Sequence, residues 1–498
     1  DGAVSLGDSV LNLQGNSSLV NGDVIGVAGS IVNVDGTFAS AGAFSVGGFN
    51  INSGGDFTQG HTITSAVRND GTLNIAAGTK ATIVGSYTQG NDGVLSIGVN
   101  SASDYGQLDV SGAADLSANS TVTLKVSVDE TLSNNETLED VVSAGSLTVG
   151  TIEVVDDSLF WDFKATVDGS TIDITTDRGI TALEAIQAAD LGFAEGLARV
   201  IDELIAGGTE ADLDELIRAL DSLEDPEELG RAVAQLAPIL IGQGSQVAKQ
   251  VIGQIGSVVS QRMSSGRVKG GVSSGDPMMT DAHVWAKVLG TKAEQGEIDG
   301  VNGYDADSYS FTLGFDGDIS EDTLVGLAFS YSEADIDGDT IANNQLDIEG
   351  YQLTGYASYT LDESAFVDVL VTVGSNSNES SRQVNIGTIN LAAKADYDSW
   401  FTSVYSAIGR DYQVNEQLTI TPMVSLSYTY IDEDSYTEKG LGGVGLDVKG
   451  RGEESAVAGL DILSVYDVDD QNRITAHVGM GYEMLSDSTI ISSSFIGG

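Results

Sequence analysis

The sequence predicts a mainly β chain in three parts: a parallel β-helix, a helical segment and a transmembrane antiparallel β-barrel. Three observations support this order. Short strands separated by glycine recur over residues 1–178, and the apolar residues then take helical spacing. From about residue 281 onward, apolar residues alternate with small or polar ones in runs of about ten residues, a length typical of membrane-spanning strands.

The first part reads as a solenoid of stacked strands. Residues 30–36 and 72–75 alternate apolar and polar side chains between glycines. The segments Phe57-Thr58-Gln59-Gly60 and Tyr87-Thr88-Gln89-Gly90 repeat each other, each after a strand and a glycine. Self-similarity at a spacing of about 20 to 50 residues indicates rungs that stack their apolar faces. We interpret the repeated Thr-Gln-Gly as a rung turn rather than a binding motif.

The second part reads as helices. Apolar residues recur at helical spacing from Thr181 to about Arg262, as in Leu183, Ile186 and Leu197. Gly207-Gly208 and Asp225-Pro226 interrupt this pattern. We therefore expect about three helices, the last beginning near Pro226, because proline is favoured in the first helical turn.

The charge of the chain is strongly negative and unevenly distributed. With 74 Asp plus Glu against 21 Lys plus Arg, the formal net charge is -53, which opposes binding to nucleic acid by any broad surface. Between Glu228 and Asp276, however, no acidic residue occurs. This span carries five cations: Arg231, Lys249, Arg262, Arg267 and Lys269.

The third part contains about nine strands with period-2 alternation. In the clearest example, residues 418–430, the even positions are mainly apolar and the odd positions mainly polar. A soluble β-sandwich also alternates, but its strands are usually nearer five or six residues long. No run of about 18 apolar residues occurs, so a transmembrane helix is not expected.

Several segments, in this order, resemble the type Va autotransporters of bacterial type V secretion. They are the strand pair near the end of the passenger, the alanine-rich linker and the first three barrel strands of that family. The matching residues are 85–89, 104–112, 114–116, 231–238, 261–263, 283–290, 310–316 and 325–331. The resemblance runs from about residue 50 to the end of the chain.

The resemblance implies a domain plan and a location. It assigns residues 1–178 to a β-helical passenger stalk with an autochaperone region at about 70–178, residues 179–275 to a helical linker that threads the barrel, and residues 276–498 to an outer-membrane β-barrel. Twelve strands and a terminal aromatic residue are implied, so we expect a barrel incomplete at the C-terminus. The implied partners are outer-membrane lipid, the barrel-assembly machinery and periplasmic chaperones; the passenger would lie at the cell surface and its extracellular ligand is unknown.

The acid-free span gains an explanation from this plan. A helix of about 20 residues is as long as the hydrocarbon layer is thick, and residues 244–263 are largely small or polar, as a polar lumen requires. Strand alternation turns three carboxylates toward the lumen: Asp316, Asp368 and Asp461. We expect Lys249 and Arg262, the charges of the lumen helix, to face such carboxylates rather than to lie on a solvated helix face.

The sequence offers little catalytic or metal-binding chemistry. It has no cysteine and three scattered histidines. Residues 7–10, Gly-Asp-Ser-Val, are similar to the nucleophile block of Gly-Asp-Ser-Leu lipases but lack the following Asp-x-x-His, and a serine needs a positioned base. Residues 335–339 are similar to the start of a calcium loop but lack its final glutamate, which leaves at most weak calcium binding. We therefore expect no catalytic residue, no cofactor site and no metal site.

Three functions remain open from the sequence. The first is an autotransporter that secretes and anchors its own β-helical passenger, an adhesin or structural surface protein. The second is a translocator of an enzymatic passenger, a protease or esterase, that precedes residue 1. The third is a soluble all-β surface-layer or filament subunit. Some autotransporters cut themselves at an asparagine in the barrel helix, but no asparagine occurs between Asn135 and Asn302, so we expect no such release.

Overall fold

The computed structural model describes residues 2–16, 18–128, 132, 134–207, 211–238, 240–267, 280–296, 303–338, 344–362, 364–468, 473–486 and 491–497. The chain divides into two compact units. The first comprises Asp1–Ala234 with Ile386–Ile389, and the second comprises Gln235–Asn385 with Asn390–Gly498.

The strands of the first unit form one sheet that coils into a β-solenoid. They pair mostly in parallel with the strand one turn later, and their order in the chain is β1 (Val4–Ser5), β2 (Val10–Leu13), β3 (Ser18–Val20), β4 (Val24–Ile25), β5 (Ile31–Val34), β6 (Thr37–Ser40), β7 (Phe44–Ile51), β8 (Asp56–Thr58), β9 (Ile63–Asn69), β10 (Thr72–Ile75), β11 (Lys80–Ile83), β12 (Tyr87–Gln89), β13 (Val94–Ser101), β14 (Asp104–Tyr105), β15 (Gln107–Val128), β16 (Thr137–Asp156), β17 (Trp161–Asp168) and β18 (Thr171–Arg178). The predicted β-helix is thus confirmed.

The core of the solenoid is a column of apolar side chains at equal register. Val32 of β5, Phe49 of β7, Val67 of β9 and Tyr87 of β12 follow one another through parallel pairs and are at most 2% exposed. Because successive members lie one turn of the chain apart, each turn places the same alternating pattern against the previous one. Stacking therefore buries the inner face of every rung except where a rung has no neighbour.

The two Thr-Gln-Gly segments lie at the ends of strands β8 and β12 rather than on a shared rung turn, and the two strands belong to different columns. β8 pairs with β6 and β10, whereas β12 pairs with β9 and β15. Both glutamines are buried, and their amide groups hold the chain locally: Gln59 Nε2 donates to the Thr82 and His61 carbonyls, and Gln89 Nε2 donates to the Gly93 carbonyl. The 30-residue spacing of the motif is therefore not the rung repeat.

Four helices follow β18 and belong to the same unit: α1 (Ala182–Ala188), α2 (Glu195–Gly207), α3 (Ala211–Asp221) and α4 (Pro226–Ala234). A capping box of Thr181 and Glu184 begins α1. Asp202 of α2 accepts hydrogen bonds from the backbone N–H groups of Ala182 and Leu183, and it pairs with Arg178. A short 3₁₀ turn, Gly192–Ala194, precedes α2.

A carboxylate joins this helical part to the end of the solenoid. Asp221, the last residue of α3, accepts hydrogen bonds from the Ser158 hydroxyl at 2.6 Å and from the backbone N–H groups of Leu159 and Phe160 at 3.0 and 2.8 Å. These three residues form the connection between β16 and β17. The helices and the solenoid end therefore fold as parts of one unit.

The second unit contains one long helix, α5 (Leu240–Arg267), and a sheet of long antiparallel strands. In the described part of the chain, nine of these strands have 14 to 22 residues: β19 (Thr280–Gln295), β20 (Tyr304–Ser320), β21 (Thr323–Gly338), β22 (Gln345–Thr360), β23 (Ala365–Ile386), β24 (Ile389–Arg410), β26 (Leu418–Glu433), β29 (Arg451–Asp467) and β30 (Arg473–Ser486). Short elements complete the unit: β25 (Tyr412–Gln413), β27 (Tyr436–Thr437), β28 (Leu446–Val448), β31 (Ser493–Phe495) and a 3₁₀ turn at Gly442–Val444.

The two faces of this sheet differ in the predicted way. On β20, Tyr309, Phe311 and Leu313 are 44 to 60% exposed, whereas the alternating Ser310 and Thr312 are buried. The inner face contacts α5 from β20 through β29, so the sheet wraps around the helix. We call this sheet with its helix the half-barrel. Among the helices described, none combines the length and hydropathy that a membrane span requires.

Candidate functional site: the helix inside the half-barrel

An apolar stripe attaches one face of α5 to the sheet. Val247, Val251 and Ile255 recur every four residues and therefore share a helix face. They pack into a buried cluster with inward-facing residues of the strands: Tyr304, Ala306, Ala334, Ile336, Leu346, Ile348 and Tyr397. One helical turn further on, Val259 and Met263 join a second cluster with Ala328, Tyr356 and Leu370. The lumen is thus partly apolar, contrary to the expectation of a wholly polar one.

Arg262 of α5 is bound to Asp316 of β20. The guanidinium Nε and Nη2 donate to the two carboxylate oxygens at 2.8 and 2.7 Å. The Tyr356 hydroxyl also donates to Asp316 at 2.9 Å, and Trp285 Nε1 donates to that hydroxyl at 2.9 Å. Asp316 is 0% exposed, so a bidentate cation and a phenol replace its hydration.

Lys249 of α5 pairs with Glu453, at the start of β29. The neighbouring Arg451 donates to Glu433 of β26 through Nε at 2.6 Å and also contacts the Ser245 hydroxyl of α5. That hydroxyl lies 3.0 Å from the other oxygen of Glu433. Two cations and two carboxylates therefore meet around the first turns of the helix.

The structure places the other two predicted carboxylates elsewhere on the inner face. Asp461 of β29 accepts a hydrogen bond from the Ser425 hydroxyl at 2.9 Å and lies 3.0 Å from His477 Nε2. Asp368 of β23 is 1% exposed. Of the five predicted residues, the structure thus joins Arg262 to Asp316, whereas Lys249 is paired with Glu453.

Sequence reasoning missed Glu433, Arg451 and Glu453, although a signal was present. The inner positions of β26 and β29 are odd-numbered, as Ser425 and Asp461 show. Continuing that parity to the strand ends reaches Glu433, Arg451 and Glu453. All three lie outside residues 418–430, the span in which the alternation is clearest.

A cavity of about 470 Å³ lies beside the other face of α5. Apart from Ile252, the helix contributes small or polar residues to it, among them Gly253, Gly256 and Ser257. The strands contribute hydroxyl groups, such as those of Ser403, Ser425 and Ser455, together with Asp461 and His477. Hydroxyls and a carboxylate around a space of this size suit water. The helix is therefore packed on one side and faces a cavity of mixed polar and apolar lining on the other.

The described residues of the two sequence motifs with chemical interest lie in different parts of the chain. Ser9 and Val10 lie at the start of β2, in the first rungs of the solenoid. Asp335 and Asp337 lie on β21, where Gln345 Nε2 donates to Asp337 at 2.9 Å, and Asp339 is outside the described residues. Within the described ranges, no three His, Asp or Glu residues are grouped so that they could hold a metal ion.

Known proteins resemble the second unit in sequence. Residues 284–498 match the model of the autotransporter β-domain family. The chain is 29% identical over 248 residues to outer membrane protein A of Rickettsia conorii, which covers 47% of this chain and 12% of the relative. It is 22% identical over 273 residues to outer membrane protein B of Rickettsia japonica, with 51% and 16% covered. The chain therefore spans less than a fifth of the length of these relatives.

A solved structure is also similar. The translocator domain of autotransporter NalP from Neisseria meningitidis aligns with a TM-score of 0.44 and 14% sequence identity. The alignment covers 51% of this chain and 83% of that chain.

Proposed function

Because residues 284–498 belong to the autotransporter β-domain family, we propose that this chain secretes its own β-helical part across the outer membrane and anchors it there. The half-barrel belongs to a bacterial outer-membrane protein, and the β-helix is the passenger exposed at the cell surface. The displayed part serves in adhesion or as a structural surface protein.

The observation that best supports this proposal is the placement of α5. A helix in the lumen connects the passenger to the first strand, and it is held there by two apolar clusters and by ion pairs. Such a helix leaves the chain continuous from the passenger into the barrel. The passenger therefore stays covalently joined to its membrane anchor unless a protease cuts it.

The domain plan and the partners follow from the same proposal. The passenger comprises about residues 1–178, with the autochaperone region at about 70–178; the linker and lumen helix comprise 179–275; and the barrel comprises 276–498. Stacking of one rung on the next outside the cell supplies free energy for export. Insertion of the strands requires outer-membrane lipid, the barrel-assembly machinery and periplasmic chaperones. The proposed role involves no catalysis and no cofactor.

Outer-membrane fractionation combined with surface digestion tests the proposal. Protease added to intact cells should remove the β-helix and leave a membrane-embedded fragment that contains residues 284–498. That fragment should migrate faster on a gel before boiling than after boiling, because a folded barrel resists detergent. Recovery of the chain in the soluble fraction, with no shift on heating, would favour a soluble surface-layer or filament subunit instead. An esterase or protease activity in the released fragment would favour an enzymatic passenger.

A further inference from the structure

Gln235 lies in the segment that leads into α5 and is held by two hydrogen bonds, one to its backbone and one to its side chain. It is the first residue of the second unit and is 8% exposed. Its backbone carbonyl accepts a hydrogen bond from Arg382 Nη1 at 2.8 Å. Its side-chain Oε1 accepts one from the backbone N–H of Asn385 at 2.7 Å. Both donors belong to β23, so one strand contacts both the backbone and the side chain of this residue.

The same guanidinium binds a second segment. We define the lid as residues 436–448, which comprise β27, the 3₁₀ turn and β28. Arg382 Nε and Nη2 donate to the two carboxylate oxygens of Glu438 in the lid, at 2.7 and 2.6 Å. Both side chains are 6% exposed. Glu438 also accepts a hydrogen bond from the Leu446 N–H at 3.0 Å, which joins the two lid strands.

The lid also contacts the apolar cluster that holds α5. Tyr436 stacks on Tyr397 with ring centroids 4.7 Å apart and an interplanar angle of 17°. Tyr397 belongs to the cluster with Val247 and Val251 of α5, against which Tyr436 packs. The lid, the helix and the segment before the helix are thus connected through Arg382 and Tyr397.

We propose that Arg382 and Asn385 form a binding site for Gln235 that fixes the register at which the chain comes to rest in the half-barrel, and that the lid closes on the filled site. Ala234 and Leu236, the neighbours of Gln235, have no side-chain acceptor. A shift by one residue would place Ala234 or Leu236 there, and neither side chain could accept the hydrogen bond that the Asn385 N–H donates to Gln235. Of these three residues, only Gln235 satisfies both donors.

Arg382 couples the filling of the site to the closing of the lid. Its three hydrogen-bonding nitrogens are divided between the Gln235 carbonyl and the Glu438 carboxylate. With Gln235 absent, closing the lid would bury a guanidinium N–H without an acceptor. The site therefore favours closure only after the correct segment has arrived. This inference rests on the proposed function, because it assumes that the chain moves through the half-barrel.

Cysteine labelling of the segment next to Gln235 tests the inference. Ala237 is 5% exposed and the chain has no cysteine, so Ala237→Cys introduces a single buried thiol. A membrane-impermeant maleimide is added to cells that display the full protein, and the labelling rate is measured in three backgrounds: native Gln235, Gln235→Leu and Gln235→Glu. We expect labelling to be about fivefold to tenfold faster with Gln235→Leu, because the substitution removes one hydrogen bond, the one from the Asn385 N–H.

The Gln235→Glu background is the matched control. Glutamate keeps an oxygen acceptor at the same position, so labelling should stay within about twofold of the native rate, below the change expected for one lost hydrogen bond. A folding defect caused by Ala237→Cys would abolish the heat-dependent gel shift in all three backgrounds. A folding defect caused by a substitution at residue 235 would abolish it in that background alone. Equal labelling in the Leu and Gln backgrounds, with the gel shift intact, would overturn the register site. Failure of the proposed function would instead appear in the native background, as a β-helix that external protease does not reach.

Discussion

Arg262 and Asp316 form a bidentate ion pair between the lumen helix and the second long strand, with both hydrogen bonds at 2.8 Å or less. Asp316 is fully buried, and Arg262 is about one quarter exposed at 23%. Because Asp316 has no access to water, its hydrogen-bond donors are the Arg262 guanidinium and the Tyr356 hydroxyl.

We expect Arg262→Ala to loosen α5 substantially. The substitution leaves the Asp316 carboxylate buried without a counter-charge, which costs about 3 to 5 kcal/mol in comparable cases. The temperature at which the folded gel band disappears should fall accordingly. Arg410→Ala is the matched control, because the Arg410–Asp362 pair is 51% exposed on both sides; it should cost about 1 kcal/mol or less. Equal shifts for the two variants would contradict this prediction.

Reversal of both helix charges should open the lumen. In Lys249→Glu with Arg262→Glu, the helix presents carboxylates to Glu453 and Asp316, and like charges in a partly dehydrated site repel strongly. We expect impaired assembly or, in protein that assembles, a raised single-channel conductance in lipid bilayers. Unchanged surface display together with unchanged conductance would refute a role for these charges in holding the helix.

The stability of the first unit should depend on the protonation of Asp156. Burial raises the pKa of Asp156 from 3.8 to about 6, aided by the charges of Asp162, Asp157 and Asp221. Between these two pKa values the folded state binds more protons than the unfolded state, so stability rises as the pH falls from about 7 toward 4. Above the folded-state pKa, the buried charge opposes folding.

Asp156→Asn removes the unfavourable buried charge. The substitution should therefore stabilise the connection of β16 to β17 at pH 7.5. Hydrogen exchange of residues 158–163 in the full chain measures the effect, which should vanish near pH 4. Asp168→Asn, on the exposed β17–β18 turn, removes the same charge elsewhere and serves as the control for the net charge of the chain. A stabilisation that is independent of pH would argue against titration of Asp156.

Release of the passenger by asparagine-type self-cleavage should not occur. α5 contains no asparagine, and none lies between Asn135 and Asn302. In cells that lack surface proteases, the protein should therefore remain a single chain, as mass spectrometry of the outer-membrane fraction can determine. Detection of a passenger fragment that ends between residues 230 and 265 would contradict this expectation.

Periodicity predicted the fold well because it records burial directly. Alternation of apolar and polar residues identified the long strands and the inner position of Asp316. The change to helical spacing located the helical zone and the start of α4 at Pro226, but it predicted about three helices where the described residues form five. Periodicity could not predict rung length, because the two Thr-Gln-Gly segments end strands that belong to different columns. The pairing of Lys249 with Glu453 also could not be predicted, because it depends on the position of α5 relative to the start of β29.

The apolar stripe of α5 was hidden for a different reason. The residues between Val247, Val251 and Ile255 include lysine, glutamine and glycine, so the average composition of the helix reads as polar. Its partners, such as Tyr304 and Leu346, lie at strand ends, where the inner face of the sheet changes from polar to apolar. The site for Gln235 had no sequence signal, since it joins residues 150 positions apart through a backbone N–H.

The way α5 is attached determines how sensitive the attachment is to the salt concentration outside the cell. Salt screens exposed charges over about 10 Å at 0.1 M ionic strength but affects buried pairs much less. Lys249, Arg262 and their partners are at most 23% exposed, and apolar clusters provide much of the remaining contact. The anchor should therefore hold the passenger with similar strength in fresh water and in brine, although the surface around it carries a large negative charge.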